Sequence, residues 1–316
     1  MFNSSWPTLA SLFLFAPAAF AGARCPADVA SVHVRYIAGS LTIVPVEINH
    51  TGPYDFMLDT GSQITMVDPK LASELHLKAE GTAGIDGVGF HARTAYAHLD
   101  LIEIGLQAIP QPVAFFQDIS HLQATDPHIR GVLGGDILRH FDVLLDQDKD
   151  LLCLDTEGVL RKSIPGERIP LAIPPTGDGS GAATEPLIAE VHLPRLADRP
   201  LYLLIDSGAN VPYLCDSSRG SSPSFGGRAM HITGYSAPGR GLVVLPAQDM
   251  QIGSNIVRPV SFVTAVGHSK AKMEVDGMLP TGLFRRIYIS YLNHFMVLEP
   301  WPSPKQRGEV QMAAHE

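Results

Sequence analysis

One short pattern occurs twice in this chain and limits what the chain can become. Tyr54–Val67, YDFMLDTGSQITMV, runs apolar into Asp59-Thr60-Gly61-Ser62 and apolar out again. Tyr202–Leu214, YLLIDSGANVPYL, does the same around Asp206-Ser207-Gly208-Ala209. Burying an ionised carboxylate is costly unless it is paired or hydrogen-bonded. Two such intrusions into strand-like runs therefore ask for one explanation. The aspartates lie 147 positions apart, and other matches keep nearly that spacing. Gly84–Gly89 (GIDGVG) falls on His231–Ser236 (HITGYS) at offset 147, and Pro112-Val113 falls on Pro259-Val260 at the same offset. Ile104-Gly105 meets Ile252-Gly253 at 148, and Gly131 meets Gly277 at 146. Matches in one order, with offsets drifting by a single residue, mark an internal repeat. The repeat predicts a first lobe over 28–160 and a second over 185–304. Between them, 161–184 is rich in Pro and Gly and reads as a linker. Residues 305–316 read as a flexible tail.

Short apolar or alternating runs bounded by turn residues predict strands: LTIVPVEIN, YDFMLD, HLDLIEIG, VAFF, FDVLLD and LLCLD. Asp68-Pro69 before KLASELHL predicts an N-cap, a proline at the first helical position and one short helix. GGDILRHF predicts another turn or two of helix. The fold class is all-β with short helices, in two lobes related by a pseudo-twofold axis.

Leu9–Phe20 has the length and composition of a signal-peptide core and is too short to span a bilayer. Ala19-Phe20-Ala21 fits the small-x-small cleavage rule, so residues 1–21 predict export to a periplasmic or extracellular space. The basic residues usual before such a core are missing, and a short buried helix is the competing reading. The three cysteines, Cys25, Cys153 and Cys215, allow one bridge, and their spacing leaves the pair open. A net charge of −9 argues against nucleic acid as a partner. The 13 histidines show no metal-binding spacing, so no metal or cofactor is expected. Asp136, Asp142, Asp146 and Asp148 read as a solvated hairpin.

The D-[ST]-G turn has a chemical logic. A strand delivers the aspartate, glycine lets the backbone turn where a Cβ would clash, and the exposed N–H groups can bond the carboxylate. Two such turns across a pseudo-twofold axis would set two carboxylates side by side. Like charges that close cannot both ionise easily, so the pair shares a proton. The ionised partner can take a proton from water while the other donates one to a carbonyl oxygen.

On these residues the chain resembles the aspartic proteases, and among them bacterial retropepsin-like and pepsin-like enzymes in single-chain, two-lobed form. The resemblance implies closed β-barrel-like lobes of the acid protease fold, a polypeptide substrate, a monomer and no stable membrane insertion. It implies that Asp59 and Asp206 are catalytic and that Thr60, Gly61, Ser62, Ser207, Gly208 and Ala209 support them. The hydroxyls of Thr60 and Ser207 are expected to cross-brace the two loops, and Ser62 to bond the outer oxygen of Asp59. Gly131–Leu138 (GVLGGDIL) looks like the segment that packs beneath the active-site loop. Two departures stand out. Pro280 takes the place of Gly134. Ala209 takes the place of Ser62, which leaves Asp206 one donor short and makes it the expected holder of the shared proton. The hairpins at GIDGVGFHA and HITGYSAPG sit where the family places its flap. Val88, Phe90 and Tyr235 are the candidate tip residues of two closing flaps, with ordinary β-turns as the other reading. The competing function is an exported peptide-binding protein on the same fold with little turnover, which Pro280 and Ala209 alone favour.

Overall fold

The computed structural model describes residues 24–87, 90–172, 186–215, 229–230, 242–265 and 275–302. The predicted signal segment 1–21, the tail 305–316 and the tip residues Val88 and Tyr235 lie outside them. Phe90 opens a strand, but its side chain lies outside the description.

The first half runs β1 (Ser31–His33), β2 (Arg35–Ile37), β3 (Leu41–Ile48), β4 (Thr51–Leu58), β5 (Met66–Val67), β6 (Gly81–Gly87), β7 (Phe90–His98), β8 (Leu101–Ile104), β9 (Gln107–Pro110), β10 (Val113–Phe116), β11 (Ile129–Leu133), β12 (Asp142–Asp146) and β13 (Leu151–Asp155). Four short helices punctuate this part of the chain: α1 (Pro69–Glu74), α2 (Ser120–Gln123), α3 (Gly135–Leu138) and α4 (Val159–Ser163). β14 (Ile169–Pro170) follows, and the second half continues with β15 (Ile188–Val191), β16 (Leu201–Asp206), β17 (Tyr213–Leu214), β18 (Ala229–Met230), β19 (Leu242–Val244), β20 (Gln248–Ile252), β21 (Asn255–Val260), β22 (Val263–Ala265), β23 (Gly277–Pro280), β24 (Phe284–Ser290) and β25 (Phe295–Pro300).

The two halves repeat one strand order. The first sheet reads β6-β7-β10-β5-β11-β4-β3 before continuing to β8 and β9, and the second reads β18-β19-β22-β17-β23-β16-β15. Strand sense repeats too. β11 lies parallel to β4 and antiparallel to β5, as β23 lies parallel to β16 and antiparallel to β17. Leu58 pairs with Leu133, and Ile205 with Leu279. Both orders run from edge to edge; closure into barrels is not seen in these pairings.

A third sheet joins the halves. Its order is β1-β13-β12-β24-β25-β14, with β12 against β24 at the centre. β14 and the end of α4 fall within the stretch read as a linker. The main core runs through all three sheets, from Phe56, Leu58 and Val143 to Ile205, Leu279 and Ile287. Residues alternating along β4 and β16 supply it, as the two-residue period of a strand requires.

Glycine is needed where strands cross. A Cβ on Gly131 would lie 2.5 Å from the Met66 carbonyl oxygen and one on Gly277 2.0 Å from that of Tyr213, inside van der Waals contact. A larger residue at either position would part the crossing strands. Cys25 and Cys153 form a disulfide that ties the start of the described chain to β13, while Cys215 is a free thiol.

Two local expectations fail. Asp142 and Asp146 are buried in β12 rather than solvated, because β12 is an interior strand of the joining sheet. Ser290 Oγ donates to Asp142 at 2.7 Å, and Arg286 Nε stands 3.3 Å from Asp146. Asp68 precedes α1 without making a side-chain cap. Its carboxylate instead accepts from Gln123 and faces Arg130.

Candidate active site

Each aspartate leaves a buried strand at the same point of its sheet. β4 ends at Leu58, and the Asp59 N–H donates to the Leu133 carbonyl at 3.0 Å. β16 ends at Asp206, which pairs with Pro280. Each carboxylate then folds back on its own turn. Asp59 Oδ1 accepts from the N–H groups of Gly61 at 2.9 Å and Ser62 at 3.0 Å. Asp206 Oδ1 accepts from Gly208 N–H at 2.8 Å, and Ala209 N–H bonds the same carboxylate.

The structure brings the two turns together. The two carboxyl groups lie close enough for each to shift the other's titration. Each also packs on the other turn's glycine: a Cβ on Gly61 would lie 2.7 Å from Asp206 Cγ, and one on Gly208 would lie 2.6 Å from Asp59 Cγ. No side chain larger than hydrogen fits at either position without parting the pair.

The hydroxyls of Thr60 and Ser207 tie the turns across the seam. Thr60 Oγ1 donates to the Ile205 carbonyl at 2.8 Å and accepts from Ser207 N–H at 3.0 Å. Ser207 Oγ donates to the Leu58 carbonyl at 2.8 Å and accepts from Thr60 N–H at 3.0 Å. Thr60 and Ser207 are both buried. The brace satisfies four backbone groups that neither half can satisfy alone.

Two site expectations are corrected. The Ser62 hydroxyl turns away from Asp59: it donates to the Ile64 carbonyl at 2.8 Å and accepts from Ile64 N–H at 3.4 Å. Replacing it by Ala209 therefore removes no donor from Asp206, and each carboxylate receives two N–H groups. The asymmetry has another origin. Asp206 is only 8% exposed, whereas Asp59 is half-buried. Burial first, and the neighbouring Asp59 charge second, hold Asp206 well above the ordinary carboxylate range. Burial also raises Asp59, but the neighbouring Asp206 carboxyl and the two N–H donors oppose it. Of the two, Asp206 is pushed the higher.

Pro280 has a local explanation that the sequence pattern hid. In the first half, Thr65 Oγ1 accepts from Gly134 N–H at 3.1 Å and donates to Asp136 Oδ1 at 2.7 Å, and Thr65 N–H reaches Asp136 Oδ2 at 3.0 Å. The register puts Pro212, Pro280 and Gly282 where the first half has Thr65, Gly134 and Asp136. Donors and acceptors are gone together. Replacing both partners of a hydrogen bond by apolar groups is close to neutral, whereas removing one is costly. The second supporting segment is a dry version of the first.

The sequence pattern does not single out Tyr291; burial and then the Asp59 charge push its phenol upward.

The sequence model of a family described as "Aspartyl protease" matches residues 44–137. Among solved structures, a retropepsin-like aspartic protease from Rickettsia conorii is similar at 17% identity and a TM-score of 0.30, over 39% of this chain and 87% of that one. No curated protein matches the chain.

Proposed function

We propose that this chain, matched by an aspartyl protease family model over residues 44–137, is a single-chain aspartic endopeptidase acting on polypeptides outside the cytoplasm. The reading rests on one observation above all. Two carboxylates on matched turns lie side by side, each against a glycine of the other turn that leaves room for nothing else. Metal and cofactor have no part in the proposal, and one copy of the chain supplies both halves of the site.

In the proposed mechanism, ionised Asp59 takes a proton from a water molecule as its oxygen attacks the scissile carbonyl carbon. Asp206 gives its proton to the carbonyl oxygen. The resulting tetrahedral diol then collapses: the C–N bond breaks, the amine nitrogen leaves with a proton, and the dyad returns to one proton shared between two carboxyls. General acid–base catalysis of this kind contributes about 10²–10⁴-fold for each positioned group. The braced turns hold both carboxyls ready for it. The two-lobed acid protease fold, a doubling of one ancestral half, and flaps at the β6–β7 and β18–β19 hairpins belong to the same proposal. Export is supported by the Cys25–Cys153 bridge, since disulfides persist in oxidising compartments.

The test is cleavage of a mixed peptide library by the native chain, Asp59→Asn and Asp206→Asn over pH 3–8, the library binding of each protein being followed in parallel. Loss of cleavage by about 10²-fold or more in both variants, with binding retained, is the expected result. Cleavage unchanged in either variant would end the dyad mechanism. A native chain that binds peptides and cleaves none would favour the exported peptide-binding protein instead.

A further inference from the structure

A third carboxyl of the first half takes no part in the chemistry above. Asp136, in the first turn of α3, is half-buried, and three donors converge on it. Oδ1 accepts from Thr65 Oγ1 at 2.7 Å and from Ile137 N–H at 3.0 Å, and Oδ2 accepts from Thr65 N–H at 3.0 Å. An ionised carboxyl only accepts, which suits three donors. A protonated one carries an O–H of its own, and here that O–H must displace a donor.

A run of hydrogen bonds leads from Asp136 to Asp59. Thr65 has no exposed surface, and its Oγ1 accepts from Gly134 N–H at 3.1 Å while donating to Asp136. Gly135 N–H donates to the Ser62 carbonyl at 2.8 Å, and Asp59 N–H to the Leu133 carbonyl at 3.0 Å. Ser62 and Gly61 in turn give their N–H groups to Asp59 Oδ1. Gly134 is pressed on the Ile64 carbonyl oxygen, to which a Cβ would lie 2.3 Å, so this stretch has no room to absorb a shift of Thr65. The second half has Gly282 in the place of Asp136.

Among the described residues, the groove that Asp136 lines holds Arg139 and His140 from its own turn and, from the β9–β10 side, Gln107 and Gln111, which do not titrate. Burial raises Asp136 above the ordinary carboxylate value, against the pull of its donors and of Arg139. Its protonation thereby moves towards the acidic range in which a proton-sharing pair works.

We propose that Asp136 is a positioning residue for Asp59 and that its ionised form is the working one. Ionised, it holds the first turn in shape through Thr65. Protonated by solvent, it releases a donor and the turn loosens. Two carboxyls of the first half, one of them outside the pair, then set the acid limit of the reaction, while Gly282 gives Asp206 no such partner. This rests on the reading of the pair given above.

The test has two arms. In the first, Asp59→Asn with Asp206→Asn removes both carboxyls of the pair, and the amide signals of Gly61 and Ser62 are followed by NMR from about pH 7 to pH 3 beside the carboxyl carbon of Asp136. The two amides are expected to shift with the Asp136 midpoint. Flat amides while Asp136 titrates, or an Asp136 that stays ionised throughout, overturn the proposal. In the second arm, kcat of the native chain is followed down its acid limb. A loss steeper than the roughly 10-fold per pH unit of a single proton is expected; a one-proton limb overturns the proposal. Asp136→Asn sets an amide N–H against those donors, as the protonated form sets its O–H. It should lower kcat about 10-fold or more at every pH, leave KM little changed and show the one-proton limb. Thr65→Ser keeps both of its donors and should behave as the native chain. The first arm uses no Asp136 variant, so it decides even where Asp136→Asn fails to fold. Amides that follow Asp136 in a chain that cleaves nothing would leave this link standing and sink the hydrolase reading; cleavage with flat amides and a one-proton limb would do the reverse.

Discussion

Thr60 and Ser207 show how little chemistry sets the geometry of the pair. Each hydroxyl satisfies one carbonyl and one N–H of the opposite turn. Thr60→Val keeps the shape and leaves the Ser207 N–H and the Ile205 carbonyl unmatched in a buried place. We expect it to cost about 1–3 kcal/mol per group in denaturant unfolding, with Thr60→Ser restoring most of that. Thr60→Val and Ser207→Ala together should be non-additive by about 0.5–3 kcal/mol, because both act on one joint. The raised Asp206 carboxyl has a consequence of its own. Its pKa is raised on folding, so its contribution to stability is complete below the ordinary carboxylate value of about 3.9 and is lost as pH rises through the raised value. Asp206→Asn should therefore be more stable than the native chain at pH 7, with the gap closing by about pH 4. Urea midpoints across that range check it. Activity should fall on the acid side as Asp59 gains a proton and on the alkaline side as Asp206 loses one, with an acidic optimum.

The supporting segments make their point as whole elements. β11 with α3 is tied to the first turn by Thr65 and Asp136, whereas Pro212, Pro280 and Gly282 give β23 and the turn after it no equivalent of that side-chain tie. Gly277→Ala should push β23 off β17, since its Cβ would lie 2.0 Å from the Tyr213 carbonyl oxygen. We expect about 2 kcal/mol or more of destabilisation, of the order seen for overpacked interiors, and a matching loss of cleavage, both measurable on purified protein. Most of these elements were legible in the sequence. Apolar runs bounded by turn residues, and glycines at near-constant offset, are local patterns, and they located β3, β4, β10, β12, β13, both D-[ST]-G turns and α1. The rest depended on neighbours distant in sequence. Nothing around Ser62 shows that its hydroxyl prefers the Ile64 carbonyl, and nothing around Pro280 shows that Pro212 lies across from it. Nor does the Asp-rich stretch after α3 show that β12 would become an interior strand. A local pattern names a residue's strand, and only pairing names its environment.

At the scale of the whole molecule, the disulfide and the joining sheet act on the same region. Cys25 and Cys153 close a separation of 128 residues and are 4% and 0% exposed. Breaking the bridge in Cys25→Ser with Cys153→Ser should lower stability by about 2–5 kcal/mol through the freedom returned to the unfolded chain; calorimetry of the two proteins tests it. The joining sheet goes further, since it alternates ownership. β13 and β12 come from one half, β24 and β25 from the other, and β14 returns from the first to finish the edge. Each half leaves the other's hydrogen-bonding edge and apolar strand face bare until they meet. The chain could then be cut anywhere within 173–185 and supplied as two polypeptides. Each should be sticky and poorly soluble by itself, and mixing them should regenerate a working whole, in the manner of a split reporter whose fragments complement.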